Sequence, residues 1–366
     1  MYKILFLINN LAVGGAEHLT IDLINNVNQK LYKPYLILLN NKVDLLFKLE
    51  VTCEVHCFDI EDIVQSVKVF QVLKLVRKIK PDIIHSHLLL ADFISGILKL
   101  FNPNLRVVST IHGYYTRRFH KIKIRHKIHF FLQSIFYKRF DKVVCVSKDL
   151  AKETSKTFAL KEKNIEVIYN GLSSLNKIVR YDLNKRFTGK IVFIGRLVPV
   201  KNVQLLITTL RRLPEYYVLT VIGEGMLKEQ LKNITEQLDL CNRVKFLGNL
   251  TNIEEILIKY DILIIPSFFE SFSLIALQGL VCGIPTISSK TGGIREVIGE
   301  ENSELLFDPL SDDDLFNKIL WIEKNFEKIK LNLSKKRSYF AAFSSQKLYD
   351  NYQQLYRNLL EQNFVR

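Results

Sequence analysis

The residues with the most chemical potential lie in the second half of the sequence. Gly195-Arg196-Leu197 closes an apolar run, and Lys201-Asn202 opens the segment after it. An arginine and a lysine at one strand-to-helix turn can meet a single anion, the guanidinium as a planar fork and the ammonium as a point charge. Two solvated surface cations would leave the same trace. Further on, Ile262 to Ile265 runs into Pro266-Ser267-Phe268-Phe269. Glu270-Ser271-Phe272-Ser273 then reads as the opening of a helix that continues through Gln278 and is capped by Cys282-Gly283. A carboxylate ahead of a helix stays ionised, and the free N–H groups of the first turn can bind phosphate. The plainer alternative makes Glu270 a capping acid without a ligand.

The first half offers a second set. Strand one ends in Asn9-Asn10, and Val13-Gly14-Gly15-Ala16-Glu17 opens a helix. Paired glycines there either let backbone N–H groups approach a phosphate or serve a tight turn with φ > 0. The third glycine of the dinucleotide fingerprint is absent. His112-Gly113 follows another apolar run and should place an imidazole at a strand's C-terminal edge. His85 and His87 flank Ser86, and they are expected to alternate in orientation so that only one faces the ligand side. Three histidines without a carboxylate ligand set make a weak metal site.

Positioning these groups falls to short β-rich runs alternating with amphipathic helical stretches. Ile4 to Ile8, Tyr35 to Leu39, Ile83 to Ser86, Val107 to Ile111 and Val143 to Val146 read as buried parallel strands. Glu17 to Asn28, Val67 to Lys78 and Ala91 to Leu100 read as helices between them. The pattern pauses over a polar segment and resumes with Ile191 to Ile194, Tyr217 to Ile222, Val244 to Leu247, Ile262 to Ile265 and Pro285 to Ser288. The expected fold is α/β, two Rossmann-like domains facing each other across a cleft, with ligands at the C-terminal strand ends. The boundaries are 1–172, a linker over 173–190, 191–344, and a helix over 345–366 that crosses back to the first domain.

Composition narrows the class. The 366 residues are 48% hydrophobic and 24% charged, as in a folded globular protein. Lysine and arginine number 52 against 37 acids, a formal charge of +15, which favours an anionic partner without naming it. Five cysteines (Cys53, Cys57, Cys145, Cys241, Cys282) show no repeated spacing and read as free, mostly buried thiols in a reducing compartment. No signal peptide is expected at Met1 to Asn10. The most apolar window, Ile83 to Phe101, is too polar for a membrane span, which implies a cytoplasmic chain.

Together these residues resemble the retaining glycosyltransferases of family GT4, which have the GT-B fold. That family's Glu-x7-Glu segment, Glu-Gly-Phe-Gly followed by four residues and Glu-Ala, stands here as Glu270-Ser271-Phe272-Ser273-Leu274-Ile275-Ala276-Leu277-Gln278-Gly279. Gly14-Gly15-Ala16-Glu17, His112-Gly113, Val146-Ser147, Tyr169-Asn170-Gly171, Gly195-Arg196-Leu197, Lys201-Asn202, Gly223-Glu224-Gly225, Phe246-Leu247-Gly248 and Gly292-Gly293 follow in family order. The resemblance implies that Arg196 and Lys201 bind a donor diphosphate, aided by amides near Gly15 and at Ser273-Leu274. It implies that Glu270 and His112 contact the transferred sugar, and that backbone from Gly223 to Leu247 holds the base. Gly14, Glu17 and His87 would face the acceptor. No metal and no covalent nucleophile are required, and the donor is a uridine- or guanosine-linked sugar. Two departures stand out. The two glycines of the motif are Ser271 and Ser273, and its second glutamate is Gln278. A neutral amide accepts a ribose hydroxyl more weakly than a carboxylate, so weaker donor binding is expected, reversed by Gln278→Glu.

Residues 117–139 hold eight Lys or Arg, three His and no acid, with Ile124, Ile128, Phe131 and Ile135 at helical spacing. This basic amphipathic helix either packs on the first sheet with a solvated face or brings the chain to anionic lipid at the inner face of the cell membrane, where a lipid-linked saccharide acceptor resides. Nucleic acid is not expected. The leading expectation is hexose transfer in bacterial surface polysaccharide assembly. The alternatives are a GT-B epimerase or hydrolase, or a catalytically weak partner subunit of another transferase.

Overall fold

A computed structural model describes residues 1–12, 14–60, 66–114, 124–173 and 182–361, with the side chains of 66–67, 124–129, 300–301 and 337 excepted. The chain forms two units, Met1–Asn170 with Gln346–Arg366, and Gly171–Ser345. Of the expected linker, 174–181 lie outside the described residues, as do 117–123 of the basic segment.

In the first unit the strands are β1 (Tyr2–Ile8), β2 (Tyr32–Leu38), β3 (Glu54–Cys57), β4 (Ile83–His87), β5 (Arg106–Ile111), β6 (Lys142–Cys145) and β7 (Ile165–Val167). They form a parallel sheet in the order β3-β2-β1-β4-β5-β6-β7. The second unit carries β8 (Lys190–Ile194), β9 (Val218–Ile222), β10 (Val244–Gly248), β11 (Ile262–Ile265), β12 (Thr286–Ser289) and β13 (Leu306–Phe307). Their order is β10-β9-β8-β11-β12-β13, again parallel. Central strands such as Ile4-Leu5-Phe6-Leu7-Ile8 are wholly buried, as strands covered by helices on both faces must be. Chain order reverses between β1 and β4 in one sheet and between β8 and β11 in the other. In open α/β sheets the loops at such a reversal diverge to opposite faces and leave a crevice at the C-terminal strand ends.

The expected strands are present with boundaries shifted by up to three residues, and β3, β7 and β13 were not anticipated. These are short outer strands, with Glu54, His56 and Glu166 interrupting their apolar residues. The thiols also depart from expectation. All five are free, but only Cys145 and Cys282 are buried, while Cys57 and Cys241 are exposed.

The helix Ser345–Glu361 places Leu348, Tyr352, Leu355, Tyr356, Leu359 and Leu360 in the core of the first unit, with Ile4, Phe6, Ile8 and Leu36. Two of its three tyrosines reach the sheet's C-terminal half. Tyr352 Oη lies 2.9 Å from Thr110 Oγ1, and Tyr356 Oη lies 2.6 Å from His85 Nδ1. Helix Leu89–Phe101 is pinned by Asp92, fully buried, whose carboxylate accepts from Ser86 Oγ at 2.6 Å, Ser109 Oγ at 2.7 Å and Tyr137 Oη at 2.8 Å. Three elements thus converge on one carboxylate whose burial is offset by hydroxyl donors. Asp92→Ala leaves those donors unpaired in the core and should lower the stability of the first unit by about 2 kcal/mol or more. Urea denaturation followed by circular dichroism checks this; a loss under about 0.5 kcal/mol would count against the anchoring role.

Candidate active site

The second unit assembles the expected anion-binding side chains from the loops after β8, β11 and β12. Lys201 ends a short 3-10 turn, Pro199–Lys201, and Asn202 takes a left-handed conformation (φ 49°) before helix Val203–Arg212 begins. Lys201 Nζ forms an ion pair and hydrogen bond with Glu270 Oε1. Both side chains are mostly covered, and Ser267 Oγ donates to the same carboxylate oxygen at 3.1 Å. The backbone closes the frame: Phe268 N donates to Val200 O at 2.8 Å, and Gly293 N donates to Glu270 O at 2.9 Å. Ser289 Oγ, at the end of β12, holds Ser267 O.

Glu270 does not open the helix. The helix runs Leu274–Val281, and its cap is Ser273, whose hydroxyl accepts from Ala276 N at 3.4 Å. Glu270 is therefore a loop residue, and the capping-acid reading of it falls away. Phe272 of the same loop is buried, its ring 5.7 Å from that of Phe343. The amides of Leu274 and Ile275 lie in the first turn, where N–H groups have no intrahelical acceptor and an anion is favoured.

Arg196 is exposed and makes no side-chain hydrogen bond among the described residues, while Lys201 is held by Glu270. The turn carrying Arg196 is fixed by close backbone approach. Gly223 sits at φ 136°, and a Cβ there would meet Gly195 O at 2.0 Å. Leu197 N donates to Glu224 O at 2.9 Å, so the loops after β8 and β9 form one surface. Leu247, in β10, is exposed beside it.

Gln278 has a partner the sequence did not reveal. Its Nε2 donates to Glu254 Oε1 at 3.0 Å, from helix Leu274–Val281 to helix Ile253–Leu257. A carboxylate thus stands next to the position where the family motif has its own, contributed by a different helix. Burial, reinforced by the Glu254 charge, pushes the nearby Cys282 thiol up to about 12.

In the first unit, helix Gly15–Asn25 follows β1, with Gly14 extended at φ −166° and Gly15 not in the left-handed region. The tight-turn explanation for the glycine pair therefore does not hold. A Cβ on Gly15 would meet nothing within 4 Å, whereas one on Gly14 would meet Glu17 Oε2 at 2.3 Å. Space is open at Gly15, as close approach of a ligand requires.

The histidines differ from expectation. His85 and His87 are two residues apart and so share one face of β4. Their ring centroids are 4.2 Å apart, and both side chains are fully buried. His87 cannot touch an acceptor as expected, because its ring is closed off from solvent. Instead its Nδ1 lies 3.0 Å from Nε2 of His112, which is partly exposed just after β5. Burial, with a smaller contribution from neighbouring rings at His85 and His87, depresses all three: His85 to about 3, His112 to about 4, and His87 well below its ordinary value. The three are neutral at pH 7. Among the described residues no group of three or more His, Cys, Asp or Glu could hold a metal.

Comparison with known proteins fits this arrangement. Residues 13–174 match the model of Glycosyltransferase Family 4, and residues 182–339 match that of Glycosyl transferases group 1. The chain belongs to the GT4-type glycosyltransferases. It is a transferase using nucleotide sugars, with the GT-B fold. It is 24% identical over 362 residues, 95% of this chain and 97% of the relative, to a Campylobacter jejuni N-acetylgalactosamine-N,N'-diacetylbacillosaminyl-diphospho-undecaprenol 4-alpha-N-acetylgalactosaminyltransferase. The Escherichia coli O-antigen biosynthesis glycosyltransferase WclY is 27% identical over 293 residues, covering 77% of this chain and 80% of that one. The fold matches Anabaena Alr3699/HepE in complex with UDP at TM-score 0.81 and 21% identity, covering 97% of this chain and 100% of that one. Among the described residues, no helix of this transferase is long and apolar enough to cross a membrane.

The Gln278–Glu254 contact alters what Gln278→Glu should do. Alone, it presses two carboxylates together, raises the pKa of one, and should cost about 1 kcal/mol of stability at neutral pH. That loss should shrink as pH falls through the carboxylate range and vanish in Glu254→Gln/Gln278→Glu. Denaturant melts of the three proteins at pH 7.5 and 4.5 test it; a single variant as stable as wild type at both would show that the two groups do not interact.

Proposed function

We propose that this transferase moves a hexose, with retained anomeric configuration, from a uridine- or guanosine-diphosphate sugar to a lipid-linked saccharide acceptor during bacterial surface polysaccharide assembly. The carrying observation is the Lys201–Glu270 pair beside the first-turn amides of helix Leu274–Val281. A cation touching a carboxylate suits a ligand in which a phosphate and sugar hydroxyls are adjacent. When the bond between anomeric carbon and diphosphate oxygen breaks, negative charge grows on the leaving nucleoside diphosphate. Lys201, Arg196 and the helix amides neutralise it, the part a metal ion plays elsewhere. Glu270 accepts from the sugar hydroxyls, and His112 serves as a further sugar contact. The ribose is assigned to Gln278 with its hydrogen-bonded partner Glu254, and the approaching substrate to the Gly14–Glu17 turn, a reading supported by the open space at Gly15.

Support for the acceptor class comes from relatives named for a diphospho-undecaprenol acceptor and for O-antigen biosynthesis, and for the donor from the fold match solved with UDP and with UDP-glucose. A place at the inner face of the membrane fits helix Ile124–Tyr137, with Phe131 exposed and Lys138 and Arg139 exposed just beyond.

The purified chain should turn over one nucleotide sugar from a UDP and GDP panel in the presence of a lipid-diphosphate saccharide. Proton NMR of the product should show the donor's anomeric configuration, and excess EDTA should leave the rate unchanged. Inversion would overturn the retaining mechanism, and a rate abolished by EDTA and restored by a divalent ion would overturn metal-free charge neutralisation. Co-sedimentation with vesicles rich in anionic lipid should be strong at low salt and fall as salt rises. Equal recovery with neutral vesicles would contradict the electrostatic part.

A further inference from the structure

His87 is out of reach of any ligand, yet it is tied to one histidine that is not. Its Nδ1 faces His112 Nε2 at 3.0 Å, while its own Nε2 is buried with no hydrogen-bond partner among the described residues. His85 cannot supply that partner. Its Nδ1 is taken by Tyr356 Oη at 2.6 Å and its Nε2 by Thr110 Oγ1 at 2.7 Å, and Thr110 is itself held by Tyr352 Oη at 2.9 Å. The His85 ring, fixed at both nitrogens, lies against the His87 ring and limits how it can rotate.

A neutral imidazole carries one N–H and one lone pair. A buried N–H left without an acceptor is the rarer and costlier defect, while an unused lone pair is better tolerated. The unpartnered Nε2 of His87 is therefore the lone pair, and the proton sits on Nδ1, where it donates to His112 Nε2. His112 Nε2 is then an acceptor already in use, so the proton of His112 resides on its Nδ1.

We infer that His87 is a positioning residue that fixes His112 in its Nδ1–H tautomer, and that His112 meets its ligand as an oriented neutral ring rather than as a base acting through Nε2. The chain of contacts runs from the C-terminal helix through His85 and His87 to His112, so Tyr352 and Tyr356 contribute to the alignment of a residue they do not touch. The ligand role of His112 rests on the proposed function; the tautomer does not.

The test is a long-range proton–nitrogen correlation spectrum of the full chain labelled with 15N-histidine at pH 7, with His87→Asn and His112→Gln used for assignment. Both His87 and His112 should give the Nδ1–H pattern. A wild-type spectrum with His112 protonated on Nε2, or His87 protonated on Nε2, overturns the inference whatever the activity. His87→Leu should let His112 exchange between tautomers and should lower kcat about tenfold or more, the usual scale for losing a partner that orients a working histidine. KM for the nucleotide sugar should move less than about threefold. His87→Asn, which returns a donor near the Nδ1 position, should recover most of kcat, and a variant no better than His87→Leu would count against the donor role. If His87→Leu does not fold, the wild-type spectrum and His87→Asn decide. Should His112→Gln retain full activity while the spectrum shows the Nδ1–H form, the tautomer assignment stands and the sugar-contact role of His112 fails.

Discussion

The ion pair between Lys201 and Glu270 joins the loops that leave two adjacent strands, β8 and β11, at the point where the order of the second sheet reverses. Everything else in that region is arranged around it. Val200 and Phe268 bond across the same gap, Gly293 fixes the Glu270 backbone, and Ser267 shares the Glu270 carboxylate. Parallel strands send all their C-terminal loops to one edge, so residues 69 apart in sequence meet without a long excursion of the chain. A mostly covered cation and carboxylate, each the other's principal partner, are costly to hold apart from water unless they are paired. A ligand carrying phosphate beside hydroxyls can replace both halves of that pairing at once.

The first unit solves a different problem. Its sheet end carries three imidazoles in a row, two on β4 and one just after β5, and burial keeps them neutral. Neutral rings can serve as oriented dipoles without bringing positive charge to this sheet end. The C-terminal helix is the outer wall of this cluster, since its tyrosines hydrogen-bond to His85 and Thr110. A segment far from the motifs in sequence therefore bears directly on the alignment of His112.

The parallel α/β architecture was legible because long apolar runs such as Ile4 to Ile8 and Ile262 to Ile265 have only one economical use, a strand covered on both faces. The short strands β3, β7 and β13 were not, because so few residues carry no period. At Glu270 the helix start was placed four residues early: Glu-Ser-Phe-Ser contains two serines able to cap, and it is the second, Ser273, that does so. The orientation of His85 and His87 follows from strand geometry alone, since residues i and i+2 share a face, so their adjacency could have been derived from sequence. The Gln278–Glu254 bond could not. It joins two helices separated by β11, and nothing in either segment's pattern points to the other. The same holds for Tyr356 and His85, whose pairing depends on where a terminal helix docks.

The most direct measurement is calorimetric titration of UDP, without metal, into the wild-type chain and into Lys201→Met. Removing one charge-assisted contact to a diphosphate should weaken binding about tenfold or more, with a smaller loss for uridine, which lacks the phosphates. Equal UDP affinity in the two proteins would contradict the assignment of the Lys201–Glu270 pair to the donor.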